Sequence, residues 1–206
     1  MNDLKKRVLE LSYKHKLSHL SSTLTTVNVL REIYKIKRPE DIIVLGNSHA
    51  ALALWVVLED RGKCDADEMV EKYGTHAERD LENGVYVSGG SLGQPETIAI
   101  GMAMADPNKI VYLVTSDGAC AEGSVWEALR VAAEQRLENL RVTVIMNGQS
   151  AYGKIDKLYL EARLKSFYPV LTVNADVYDF PEWLQGVDGH YVTMTEDQYK
   201  EVLNEL

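Results

Sequence analysis

The sequence predicts an α/β chain built as a three-layer, doubly wound, mostly parallel sheet with helices on both faces. Aliphatic and β-branched runs at residues 41–45, 111–115 and 141–146 stop at Gly46-Asn47-Ser48, Ser116-Asp117-Gly118 and Asn147-Gly148. Short apolar runs bounded by turn formers read as buried strands. Between the second and third runs, Val125, Leu129 and Ala132 recur at helical spacing while Glu127, Arg130 and Glu134 point elsewhere, the signature of an amphipathic helix. Residues 111–153 therefore read as strand, acidic turn, helix, strand and polar turn. This is a βαβ unit whose two carboxyl-end turns lie side by side if its strands are parallel.

The remaining elements follow in order. Residues 2–15 form a helix with Leu4, Val8 and Leu11 on one face, and a polar turn at 17–24 opens a second helix carrying Leu24, Val27, Leu30 and Tyr34. After the strand at 41–45, the turn at 46–51 runs into an apolar helix with Leu52, Trp55, Val56 and Leu58, and another helix spans 65–73. A helix at 97–105, rich in Ala, Met and Gly, suits close packing against a sheet, and Pro95 suits its first turn. Downstream we expect a helix at 155–165, a strand at 169–174, a short helix at 181–185 and a last strand at 189–194. Thr195 and Gln198 have the spacing of a capping box for a final helix ending at Leu206. No internal repeats, low-complexity segments or linkers are evident.

With 206 residues, 46% of them hydrophobic, the chain can build one sizeable core, and a single domain over residues 1–206 is expected. No apolar run approaches the ~18 residues of a membrane span. The N-terminus reads as a charged helix rather than a secretion signal, so a soluble, cytoplasmic protein without a membrane partner is expected. Cys64 and Cys120 share no metal or redox spacing. The net charge of −9, from 31 acidic against 22 basic residues, argues against nucleic acid as a partner.

Asp117 and Asn147 carry the chemistry. Taken singly, Asp117 reads as a helix N-cap and Asn147-Gly148 as a tight turn. Taken together at adjacent strand ends, a carboxylate and an amide oxygen are hard donors suited to Mg²⁺, which also keeps water and ligand phosphates. The crevice beyond the carboxyl ends of a parallel sheet is where open α/β folds bind cofactors.

An Asp-Gly turn, then Glu122-Gly123-Ser124-Val125-Trp126-Glu127-Ala128, then an Asn closing a strand resembles the thiamine diphosphate motif of the transketolase family, specifically the N-terminal subunit of two-chain transketolases. Gly90-Ser91-Leu92-Gly93-Gln94 resembles a second signature of that family. The resemblance implies the thiamine diphosphate-binding fold, with Mg²⁺ held by Asp117, Asn147 and the backbone carbonyl of Gln149. It implies cofactor contacts from His49, Gly90, Leu92, Gly118 and Ala119. An anionic cofactor on an acidic chain would then be held by metal and backbone donors. Ser116 stands where the family has the first glycine of Gly-Asp-Gly, and Pro95 replaces a further family glycine.

Three histidines also match. The segment around His19 resembles the family's Gly-His-x-Gly-Gly-Ser-Leu opening, with Ser18, Ser21 and Ser22 in place of glycines. Gly46-Asn47-Ser48-His49-Ala50 resembles Ser-Lys-Gly-His-Ala, and Gly74-Thr75-His76-Ala77-Glu78 resembles Gly-His-Pro-Glu. Each histidine alone also reads as a loop or core residue; the resemblance gives His19, His49 and His76 proton-transfer roles. Asp188-Gly189-His190 resembles a family segment before the last helix, and His190 is expected to be structural.

The resemblance also implies a partner. In the family, the glutamate that activates the cofactor comes from a pyrimidine-binding domain, which here would be a second chain in an α2β2 heterotetramer. Glu122 and Glu127 match catalytic-network glutamates at the interface between the chains; alone, they read as a solvated helix face. The family's diphosphate-binding domain continues to a strand and a His-Gly loop. Stopping at Leu206 would leave that role to the partner, to a different substrate or to reduced catalysis. The implied function is transfer of a two-carbon ketol unit between sugars or sugar phosphates, with Arg79 a candidate for a phosphate contact. The alternatives are a catalytically silent or regulatory partner with the thiamine fold, and half of another thiamine-dependent synthase or decarboxylase.

Overall fold

The computed structural model of the protein describes residues 3–175 and 180–205. Its centre is a parallel sheet. Strands β1 (Ile42–Leu45), β2 (Val111–Ser116) and β3 (Leu140–Met146) are followed by a small hairpin of β4 (Gln149–Ser150) and β5 (Gly153–Lys154), then by β6 (Val170–Asn174). The sheet order is β1-β2-β3-β6, every pairing parallel.

Helices cover both faces, as the sequence predicts. Along β1, Ile43 and Leu45 point one way and Val44 the other, because side chains alternate across a strand. Ile43, Leu45, Val114 and Ile145 pack against α1 (Asp3–Lys14), α2 (Leu20–Ile36), α3 (Ala51–Asp60) and α4 (Ala66–Tyr73). Trp55 of α3 is fully buried there. On the opposite face, Val44, Leu113, Val142 and Val144 pack against α5 (Gln94–Ala105), α6 (Gly123–Glu134) and α7 (Lys157–Phe167). The residues facing the sheet from α5 and α6 include Ala99, Ala103, Ala128 and Ala132, and small side chains let a helix approach a sheet closely.

The C-terminal part departs from expectation. Residues 189–194 do not form a strand: α8 (Gly186–Tyr191) occupies the first half of that segment, and α9 (Glu196–Glu205) follows. The cause is local. A Cβ at Gly189 would lie 2.4 Å from the Leu184 carbonyl carbon. The Gly189 N–H also donates to the Gln185 carbonyl at 3.2 Å, so the chain folds back on the turn before it rather than extending. α7 begins at Lys157 rather than 155 because Asp156 caps it, accepting the Tyr159 N–H at 3.0 Å. The expected capping box is formed: Gln198 accepts the Thr195 N–H at 2.9 Å, and Thr195 accepts the Gln198 N–H at 3.3 Å.

Candidate active site

β2 and β3 end side by side. Ser116 is in register with Ile145, and the Asp117 N–H donates to the Ile145 carbonyl at 2.9 Å. The two turns then interlock. One oxygen of Asp117 accepts the Gly148 N–H at 2.6 Å and the other the Gly118 N–H at 3.0 Å. Asn147 Oδ1 accepts the Gln149 N–H at 2.9 Å. A Cβ at Gly118 would sit 3.5 Å from the Gln149 carbonyl oxygen, so that carbonyl lies against the Asp117 turn. Ser116 accepts the Ala119 N–H at 3.3 Å, which gives the serine a capping role at this turn.

Asp117 is 1% exposed, and burial pushes its carboxyl up to about 6 against the pull of the Gly148 and Gly118 N–H groups. Among the described residues its hydrogen-bond donors are backbone N–H groups, and a divalent cation would complete the electrostatics of such a buried carboxylate. The donors offered, a carboxylate, an amide oxygen and a backbone carbonyl, are all hard oxygens, which fits Mg²⁺.

Three further loops enclose the space above these turns. His19 precedes α2, His49 lies in the short turn Ser48–Ala50 after β1, and His76 lies in the loop after α4. These loops are tied together: Ser48 Oγ accepts the Ala77 N–H at 3.0 Å, and the Gly89 N–H donates to the Ala77 carbonyl at 2.9 Å. A Cβ at Gly89 would sit 2.2 Å from the Ser48 Cβ, so a glycine there is what lets the 88–93 loop close on the His49 turn. Asn47 anchors the same turn to α2 through Thr26 at 2.9 Å.

The result is a cavity of about 200 Å³ bordered by His19, His49, His76, Gly90, Leu92, Asp117, Gly118, Asn147 and Gln149. Ring centroids of His19 lie 5.1 Å from His49 and 6.4 Å from His76. Burial, reinforced by the neighbouring histidines, lowers His19 to about 4 and His49 to about 3. Both rings are therefore neutral near pH 7, each offering one donor and one acceptor. A larger open groove, about 1080 Å³, lies at the other end of the strands along Tyr112, Leu140 and Leu171. Its described lining includes no histidine, aspartate or asparagine.

Three expected site residues lie outside this lining. Ala119 is fully buried behind the Asp117 turn. Glu127 is exposed on α6, and Glu122 is half-buried at its start, accepting the Tyr152 hydroxyl at 3.0 Å. His190, expected to be structural, borders the cavity with Ser22, Val187 and Tyr191. Its ring centroid is 4.3 Å from His19 and 5.1 Å from His49. The sequence signal for it was the family resemblance of Asp188-Gly189-His190.

The lowered histidines set an acid limit on stability. Between the ordinary value of 6.5 and the folded values near 4 and 3, the unfolded chain binds protons that the folded chain refuses, so stability falls as pH drops through that window. Thermal unfolding of the chain should show Tm decreasing from pH 6.5 to 4, with a shallower decrease in His49→Gln. An identical slope in the variant would contradict a buried neutral ring at position 49.

No protein-family profile matches the chain. It is 27% identical over 197 residues to one of the subunits of the apulose-4-phosphate transketolase of Phocaeicola vulgatus, covering 84% of this chain and 70% of that protein. It is 28% identical over 210 residues to a 6-deoxy-6-sulfo-D-fructose transketolase subunit of a Clostridium species, covering 92% and 73%. In three dimensions it superposes on a transketolase variant from Pichia stipitis with a TM-score of 0.77 at 19% identity, a likeness of fold. That match takes in 99% of this chain but 41% of the solved one, so the chain spans less than half of that transketolase.

Proposed function

We propose that this chain, which belongs to the transketolase family, is the diphosphate- and magnesium-binding subunit of a split, thiamine diphosphate-dependent transketolase that acts in the cytoplasm. The observation carrying the proposal is the meeting of Asp117, Asn147 and the Gln149 carbonyl beside a cavity edged by histidines. Asp117, Asn147 and the Gln149 carbonyl would hold Mg²⁺, with the cofactor's diphosphate completing its shell. Gly118 leaves backbone room at that turn, and Gly90 with Leu92 would meet the aminopyrimidine. Thiamine diphosphate, when bound, supplies a nucleophilic carbon and an electron sink for the broken C–C bond of a ketose.

The protein's own contribution is placement and proton handling. His19 and His49, neutral because they are buried, and His76 at the cavity edge can accept a proton from a sugar hydroxyl and return it. The stacked loops around Ser48 and Gly89 hold these rings in position and limit water.

The carboxylate that activates the cofactor would come from a pyrimidine-binding partner chain, with Glu122 and Glu127 on the surface that faces it in an α2β2 assembly. The Phocaeicola and Clostridium relatives are each named as one subunit of a transketolase, which supports this arrangement. The test is reconstitution. Mixed with its partner, thiamine diphosphate and Mg²⁺, the chain should move two carbons from a ketose donor to an aldose acceptor, and neither chain should do so alone. Turnover by this chain alone would remove the split-site element. A partnered complex that binds cofactor yet transfers nothing would favour the catalytically silent reading.

A further inference from the structure

His190 is delivered to the cavity by an unusual local construction. Gly189 packs its bare Cα against the Leu184 backbone, so no side chain fits at that position, and the next residue is aimed inward. The His190 carbonyl accepts the His19 N–H at 2.8 Å. His19 has a φ of 64°, a left-handed conformation that a non-glycine residue keeps only when its surroundings impose it. Residue 190 thus fixes the backbone of one cavity histidine while adding an imidazole of its own. That imidazole lies 4.3 Å from the His19 ring and 5.1 Å from the His49 ring, centroid to centroid. Ser22 Oγ is 3.5 Å from its Nδ1, and burial lowers its basicity.

Resting on the function proposed above, we infer that His190 is a fourth substrate-facing imidazole, which with Ser22 hydrogen-bonds the hydroxyl groups of a polyhydroxy ketose and helps select which ketose is accepted. A neutral imidazole offers one donor and one acceptor, and a hydroxyl group can answer both. A site built to bond a hydroxyl rejects analogues that lack it, because its own buried polar groups are then left unpaired.

His190→Gln tests this, since it keeps the main-chain carbonyl that holds His19. The assembled enzyme should be assayed with a panel of ketoses, fructose 6-phosphate among them, alongside deoxy analogues. The variant should lose about 3- to 10-fold in kcat/KM, chiefly through KM, on the scale of a lost hydrogen bond between neutral partners. Discrimination against a deoxy analogue should shrink, while magnesium-dependent cofactor affinity stays within about twofold, well under the tenfold that 1.4 kcal/mol represents. Independently of turnover, an NMR titration of the chain alone should show His19 titrating at higher pH in the variant, because a neighbouring ring that opposes its protonation has gone. Unchanged kcat/KM and an unchanged His19 titration would overturn the role of His190. A wild-type chain that takes up no cofactor with its partner would instead overturn the function, and this role with it.

Discussion

Asp117→Ala is expected to abolish magnesium-dependent binding of thiamine diphosphate, with an affinity loss of ~100-fold or more, roughly 2.8 kcal/mol at 1.4 kcal/mol per decade. The carboxylate is the sole charged oxygen among the three proposed metal donors, and Asn147 and Gln149 would be left to hold a strongly hydrated dication with neutral oxygens alone. The substitution also frees the Gly118 and Gly148 N–H groups, so some loss of stability is expected beside the loss of affinity. Circular dichroism at the binding temperature separates the two effects. Unchanged affinity in a folded variant would show that the metal is held elsewhere.

His49→Ala should have the second-largest effect. Its ring sits at the carboxyl end of β1, within the same cavity as Asp117, and general acid–base groups contribute roughly 10²- to 10⁴-fold to rate. We expect kcat/KM of the partnered enzyme to fall by about that factor. The Ser48–Ala77 and Asn47–Thr26 bonds are made by neighbouring residues, so the turn itself should survive the change. Steady-state kinetics with saturating cofactor will decide. A rate near that of the wild type would assign His49 to packing.

The parts of the site that were legible in the sequence are those fixed by the sheet. A polar turn must follow each strand, and parallel pairing of β2 with β3 places Asp117 beside the Asn147 turn whatever the rest of the chain does. His49 was legible for the same reason, since it follows the end of β1. His19 and His76 needed the family resemblance, because neither lies at a strand end. His190 was hidden by a different physics. The run from Gly189 has the look of a strand, but its first residues belong to a helix, Gly186–Tyr191, in which Gly189 packs directly against the Leu184 backbone. Glycine contacts of that kind depend on a neighbouring segment's path and leave no periodic trace. The β4–β5 hairpin was missed for a similar reason: two-residue strands are too short to show alternation.

The most direct measurement is isothermal titration calorimetry of thiamine diphosphate into the wild-type chain together with its partner, with Mg²⁺ and then with excess chelator. Saturable binding that requires the metal and vanishes with the chelator is expected. Heat unaffected by chelation, or no binding under either condition, would contradict a magnesium-bridged diphosphate held between the Asp117 and Asn147 turns.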